Sequence, residues 1–268
     1  MPMPTLRPLV AVALAAALAA GATAPAVADS SLEAIRARGV LRVGVKANGA
    51  PFGSRDAGGR PVGFEIDIAR LLTRVLFNDD RRAEFTTVTT ATRFDILESG
   101  RVDLVIATLT VTDERRSLAE LSDPYFVSAA LLLVRRSSPV EHLGDLAGRR
   151  VAVIKGSVQE RDVAELQSRA EVVALESITA AVQAVKSGAV EAFAYDDVVL
   201  LLLAQQDGTL RVAGPPIAPR PFAIAARKGE IGLIRWVDGW LAKMRRDGSY
   251  GELWRRYFAP FESRLVGG

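Results

Sequence analysis

A ten-residue pattern occurs twice in this chain, and it limits the fold more than any other feature. Ile96-Leu97-Glu98-Ser99-Gly100-Arg101-Val102-Asp103-Leu104-Val105 is echoed by Ala184-Val185-Lys186-Ser187-Gly188-Ala189-Val190-Glu191-Ala192-Phe193. Each copy reads as a helix end, a glycine that caps it, and a buried strand. A second echo pairs Arg42-Val43-Gly44-Val45 with Arg150-Val151-Ala152-Val153. Buried strands alternating with helices are the mark of α/β architecture, here expected in two lobes of similar build.

Other segments fit that frame. Residues 41–45, 83–88 and 104–107 have the length and composition of strands. Residues 64–76 have helical period, with Ile66, Ile68, Ala69, Leu71 and Leu72 on the inner face. Glu65 and Asp67 fall in the first turn, where the dipole favours carboxylates, so they read as dipole partners rather than a catalytic pair. Residues 127–135 and 221–227 are apolar strands placed to join the lobes, the second introduced by Gly214-Pro215-Pro216-Ile217-Ala218-Pro219. Two connections running in opposite directions make residues 127–221 an insertion, leaving 29–126 and 222–268 as the first lobe. Residues 231–258 read as helix, and Trp236 and Trp240, one turn apart, are expected to pack on that lobe.

The first 28 residues break the α/β pattern. Arg7 gives a positive start, 9–20 is an apolar run of small residues, and Ala26-Val27-Ala28 suits a signal peptidase. The run is shorter than the roughly 20 residues that span a bilayer. We therefore expect a secretory signal peptide cleaved before Asp29. Later apolar runs also fall short of a span, the longest being 198–204. The chain contains no cysteine, which removes disulfides, thiolate metal sites and a lipid anchor at the cleavage site. The expected mature protein is a monomer, free in a periplasm-like compartment and held by its core alone.

Charge and motifs exclude several functions. The net charge of +3 is small, and the 34 basic and 31 acidic residues are interspersed, so no nucleic-acid partner is expected. Neither GxxxxGK[ST] nor a GxGxxG after a strand is present. The single histidine, His142, lies in a polar loop and reads as a surface residue, which leaves no Ser-His-Asp or Cys-His chemistry. No cofactor or metal site is expected.

Ligands of open α/β sheets bind beyond the carboxyl ends of strands. The residues there are Lys46, 108–112, Gly156-Ser157 and Asp196-Asp197. The most informative stretch is Val105-Ile106-Ala107-Thr108-Leu109-Thr110-Val111-Thr112-Asp113-Glu114-Arg115. Thr108 and Thr110 are expected to present hydroxyls on one side, beside free backbone N–H groups. Arg115 can reach back as a planar two-pronged donor to a carboxylate.

These residues resemble the bacterial family-3 extracellular solute-binding proteins, which deliver polar amino acids to ABC importers. The matching pieces are Gly39-Val40-Leu41-Arg42-Val43-Gly44-Val45, Pro51-Phe52, Gly63-Phe64-Glu65-Ile66-Asp67, the threonine segment to Arg115, Leu121-Ser122-Asp123-Pro124-Tyr125 and Tyr195-Asp196. The resemblance implies a two-lobed periplasmic-binding-protein fold of type II, each lobe a mostly parallel sheet flanked by helices, closing about two hinge strands. It implies that Arg115 clamps the ligand α-carboxylate with Thr110 and Thr108, and that Asp196 receives the α-ammonium. Ser157 and Gln159 fall near the closing loop of the second lobe, although Val158 stands where relatives often have threonine. Gly49 replaces an aromatic that many members stack on the ligand. The implied partners are an amino acid and the membrane permease subunits of an importer.

Lys46, and Arg93 behind Val88-Thr89-Thr90-Ala91-Thr92, resemble positions that hold a side-chain carboxylate in aspartate/glutamate-binding members. Three cations against Asp196 complement two carboxylates and one ammonium, so an acidic amino acid is the expected ligand. Thr90 joins the candidate set beside Arg93. The alternatives are another polar amino acid, such as glutamine or arginine, a cyclohexadienyl dehydratase-like enzyme on the same scaffold, and a receptor's sensor domain. The enzyme needs a general acid, for which only Asp196 and Asp197 offer themselves. The sensor lacks its membrane helix here.

Overall fold

The computed structural model describes residues 30–265; the expected leader, residues 1–28, lies outside the described residues. Helix α1 (Ser30–Arg38) precedes strand β1 (Leu41–Val45), and β2 (Ser54–Arg55) and β3 (Pro61–Val62) form a hairpin before α2 (Phe64–Phe77). Then come β4 (Ala83–Thr87), α3 (Arg93–Glu98), β5 (Leu104–Ile106), α4 (Asp113–Leu118) and β6 (Ala119–Leu121). The chain passes to a second sheet through β7 (Phe126–Arg135), β8 (Arg150–Ile154), α5 (Val158–Leu166) and β9 (Glu171–Leu175). That sheet is completed by α6 (Ile178–Ser187), β10 (Ala192–Asp196), α7 (Asp197–Gln206) and β11 (Leu210–Phe222). The chain returns with β12 (Ala225–Arg227), α8 (Ile231–Asp247) and α9 (Ser249–Phe258).

The first sheet has the order β4-β1-β5-β12-β6, and the second β11-β7-β10-β8-β9. In the first, β1 runs parallel to β4 and β5 while β12 is antiparallel to its neighbours. In the second, β8 runs parallel to β10 and β9 while β7 is antiparallel to its neighbours. Each sheet therefore has four strands running one way and a single strand, β12 in the first and β7 in the second, running against them. The sequence echoes occupy equivalent places: β1 and β8 lie inside their sheets, and Gly100 and Gly188 both take left-handed backbone, with φ of 70° and 78°.

Three expectations are modified. Residues 221–227 are not one strand, because Phe222 ends β11 opposite Phe126 while Ala225 starts β12 opposite Val105 and Leu121. The break at Ala223-Ile224 lets one segment serve both sheets. The proline-rich stretch is not a lead-in but part of β11, an edge strand that pairs with β7 and, at its end, bridges Thr110 through Phe222. Proline lacks the ladder donor, so an edge strand is where it is tolerated. The pairing shifts register between Ala213 and Ile217 and again before Arg220, with Ala218 at φ 44°. Finally, residues 231–258 form two helices, broken at Gly248, whose φ is 82°. Trp240 is buried, and α8 packs on β6, β12 and α1.

Aromatic rings gather where the chain crosses between sheets. Phe126 of β7 stacks on Phe222 of β11 at 6.0 Å, and Phe52 and Phe258 meet Phe126 at 5.1 and 4.8 Å. Such pairs contribute about 0.5–1.5 kcal/mol each beyond the burial of their area. The start of α2 is tied to the same cluster. Phe64 and Glu65 donate their N–H groups to the carbonyls of Pro51 and Phe52, both at 2.9 Å. A Cβ on Gly63 would lie 2.3 Å from the Phe52 oxygen, so only glycine lets the two segments meet.

Candidate functional site

All nine expected site residues come together. Lys46, Thr90, Arg93, Thr108, Thr110, Arg115, Ser157, Gln159 and Asp196 line one chamber, together with Val158 and Tyr195. It lies beyond the carboxyl ends of β1, β5, β8 and β10. A larger, shallower groove lined by Tyr125, Val127, Tyr250 and Trp254 lies elsewhere. It gathers no comparable set of buried charges, and we assign the site to the smaller chamber.

Thr108 organises the first-sheet side. Its φ of 42° is unusual for a branched residue, and each of its polar groups is tied down. The Thr108 N–H donates to Glu65 Oε1 at 2.6 Å, the hydroxyl accepts from Lys46 Nζ at 2.5 Å, and the carbonyl accepts from Arg93 at 3.3 Å. Its amide is therefore occupied, which corrects the expectation of a free N–H there. Arg93 also donates to the Ala107 carbonyl at 2.9 Å, while its buried Nε has no partner among the described residues. The Thr112 hydroxyl caps α4 by accepting from the Arg115 N–H at 3.2 Å, and α4 carries the Arg115 guanidinium toward the chamber.

Groups of the second sheet close the other side. Arg115 donates to the Thr110 carbonyl at 2.9 Å and to the Gly156 carbonyl at 3.1 Å. Lys46 donates to the Tyr195 hydroxyl at 2.6 Å. Gln159 Nε2 donates to Asp196 Oδ1 at 2.9 Å. Ser157 precedes α5 but does not cap it, and its buried hydroxyl has no partner among the described residues. An unmet buried hydroxyl beside a helix start is suited to an anionic group.

The charges are buried and unpaired. Among the described residues, Lys46, Arg93 and Arg115 each lack a carboxylate oxygen within the 4.0 Å of an ion pair, and Asp196 lacks a cation. Burial pulls the Lys46 ammonium down to about 8, opposed by Asp196. Burial and then the Arg93 charge bring Arg115 to about 9. Burial likewise lowers Arg93 and raises Asp196, the latter against the attraction of Lys46. Perturbed groups facing one cavity mark a site poised for charge from outside.

Two participants were not assigned from the sequence. Tyr195 enters the sequence reading only as part of a motif, yet its hydroxyl meets Lys46, and its ring stacks on Phe193 at 5.3 Å. From the sequence, Glu65 reads as a dipole partner. It does sit in the first turn of α2, but it is fully buried, and its carboxylate accepts from the Thr108 N–H and the Tyr125 hydroxyl. Glutamate at a helix start is common enough to hide such a role. Asp197 points away from the chamber and accepts from Ser128 Oγ at 2.8 Å and the Ala129 N–H at 3.2 Å. His142 is exposed, 3.5 Å from Asp145. Among the described residues no three His, Asp or Glu side chains cluster as metal ligands, and no helix is long and apolar enough to cross a membrane.

Two α/β sheets joined by crossing strands, with buried charges converging between them, define a two-lobed solute receptor. The chain belongs to the bacterial extracellular solute-binding proteins, family 3, whose sequence model matches residues 41–260. It is 32% identical over 251 residues, 92% of each chain, to the ABC transporter glutamine-binding protein GlnH of Bacillus subtilis (strain 168). The structure of the solute receptor for L-cysteine of Neisseria gonorrhoeae superposes with a TM-score of 0.84 at 28% identity, covering 88% of this chain and 97% of that one. An ancestral amino acid-binding protein, a precursor of cyclohexadienyl dehydratase, superposes with a TM-score of 0.79 at 31% identity, covering 85% and 99%. This protein is thus an amino-acid-binding member of an ABC-importer receptor family.

Proposed function

We propose that the chain captures an acidic amino acid, glutamate or aspartate, by closing its two lobes around it. The observation that carries this is the set of three buried cations with no carboxylate within ion-pair distance among the described residues. In this reading Arg115, with Thr110, Thr108 and Ser157, holds the α-carboxylate. Asp196, steadied by Gln159, takes the α-ammonium. Lys46 and Arg93, beside Thr90, take the side-chain carboxylate. A buried charge left unpaired costs several kcal/mol, and each 1.4 kcal/mol is tenfold in affinity, so a neutral side chain is disfavoured.

The same reading puts the mature protein in the periplasm after cleavage of residues 1–28, as a monomer that hands its ligand to permease subunits. Residues 127–221 are its inserted lobe, with 29–126 and 222–268 as the other. Calorimetry on refolded, ligand-stripped protein against a panel of amino acids tests the specificity. Tight binding of glutamate or aspartate is expected, and tight binding of arginine or histidine without glutamate would sink it.

A glutamine ligand is the second reading, favoured by the Bacillus subtilis glutamine-binding relative. Lys46 already donates to two neutral oxygens, on Thr108 and Tyr195, and a carboxamide oxygen could share it. A dehydratase reading draws on the ancestral precursor. Incubation with prephenate or arogenate, read by aromatic absorbance, separates it from binding.

A further inference from the structure

We propose that Glu65 is the positioning residue and built-in counter-charge of this chamber: it holds the turn that aims Lys46 and keeps Lys46 in its charged form. The proposal deepens the acidic-ligand reading and rests on it for its consequence in binding.

The geometry runs through one turn. Glu65 Oε1 accepts from the Thr108 N–H at 2.6 Å and from the Tyr125 hydroxyl, which fixes both the carboxylate and the left-handed residue that follows β5. Thr108 in turn accepts from Lys46 Nζ and from Arg93. One carboxylate therefore stands behind both cations assigned to the ligand side chain. Glu65 Oε2 is buried with no hydrogen-bond partner among the described residues; burial pushes this carboxyl up, and the bonds from Tyr125 and Thr108 and the Lys46 charge oppose it. Tying down Thr108 and supplying a negative charge are separable roles, because a carboxamide can do the first but not the second.

Charge supplies the second strand. The groups acting on Lys46 are Asp196 and the Tyr195 hydroxyl from β10, Arg93 from α3, Arg115 from α4 and Glu65 from α2. Burial and the two arginines drive Lys46 toward its neutral form, while Asp196 and Glu65 oppose them. With the chamber empty, both carboxylates are needed to offset two guanidiniums. An acidic amino acid would spend Asp196 on its ammonium, which leaves Glu65 as the standing partner of Lys46. Counting Glu65, the ionised site carries one net positive charge, and an acidic amino acid neutralises it.

The test separates geometry from charge by Glu65→Gln, which keeps an acceptor for Thr108 and Tyr125. Lys46 is titrated directly in ligand-free protein through its ¹³Cε resonance, assigned by Lys46→Met. The expected result is that Lys46 loses its proton about one pH unit lower in E65Q than in the wild type. In K46M the Glu65 carboxyl should conversely titrate higher, and this arm carries the test if E65Q does not fold. Glutamate calorimetry between about pH 6 and 9 gives the functional readout. The E65Q affinity should begin to fall at lower pH and be about fivefold weaker than wild type near pH 8. The ligand ammonium titrates equally in both proteins and cancels. Unmoved Lys46 and Glu65 titrations would overturn the proposal, as would an E65Q loss equal at every pH, the signature of a merely structural role. Wild-type protein that ignores glutamate at all pH values would fail the acidic-ligand reading instead, while the Lys46 titration still decides the role of Glu65.

Discussion

Lys46 Nζ lies 2.6 Å from the Tyr195 hydroxyl, joining the residue that follows β1 of the first sheet to a residue within β10 of the second. The phenol ring also lies 5.3 Å from the same ammonium. Burial holds the Tyr195 hydroxyl well above its ordinary value, so it stays a neutral acceptor. A cation that would take a ligand carboxylate is thus oriented by both halves of the molecule at once.

Tyr195→Phe should weaken acidic amino acids by about tenfold or more. The variant keeps the ring and its stacking on Phe193 but leaves a buried ammonium one acceptor short, which costs about 1–3 kcal/mol. Calorimetry with glutamate measures it, and an affinity within twofold of wild type would make Tyr195 a bystander.

Arg115→Ala should weaken every amino acid by more than about thirtyfold, because truncating one partner of a buried charge pair costs about 2–5 kcal/mol. Arg115→Lys keeps the charge without the planar fork and should recover only part of the loss. The comparison needs glutamate and glutamine titrated on both variants. A loss confined to one ligand would remove Arg115 from the common α-carboxylate clamp.

Lys46→Met and Arg93→Met should instead discriminate between ligands. Glutamate should lose about 10-fold to 150-fold, as expected for a charge-assisted hydrogen bond, and glutamine distinctly less. Equal losses for the two ligands would mean that these residues only shape the cavity.

Asp197 gives a stability prediction away from the chamber. Burial lifts its carboxyl to about 6, although Ser128, Val198 and Ala129 donate to it. The folded value lies above the unfolded one, so folding favours the protonated acid. Its contribution is full below about pH 4 and is lost as pH rises through about 6. Asp197→Asn removes the titration. Thermal melts at pH 5 and pH 7 should therefore differ less in D197N than in wild type, the wild-type excess being about 1–1.5 kcal/mol. Equal pH dependence in the two proteins would show that Asp197 does not titrate there.

Much of the architecture was legible because it is written in local terms. Strand-length apolar runs, the amphipathic period of α2 and the paired glycines at 100 and 188 depend on near neighbours alone. Lys46, Thr108, Thr110, Ser157 and Asp196 could be named for a related reason: they lie at or just beyond strand ends, a position readable before any contact is known, whereas Thr90, Arg93, Arg115 and Gln159 joined them through the family resemblance. Boundaries read less well where one segment serves two sheets. Nothing local in Phe222-Ala223-Ile224-Ala225 says that pairing switches from β7 to β5 and β6.

The amino-acid order by itself determined two α/β halves, their strands and helices, and the residue types offered to a ligand. Only the tertiary structure decided which of those residues share one volume and what surrounds them. Glu65 looks like any acid in a first helical turn until packing brings Thr108 and Tyr125 onto its carboxylate. Tyr195 is one strand residue among many until the sheets set its hydroxyl against Lys46. The reason is physical. Helix and strand preferences come from neighbours in sequence, whereas burial, unpaired charge and perturbed protonation arise from groups far apart in the chain that exclude water together.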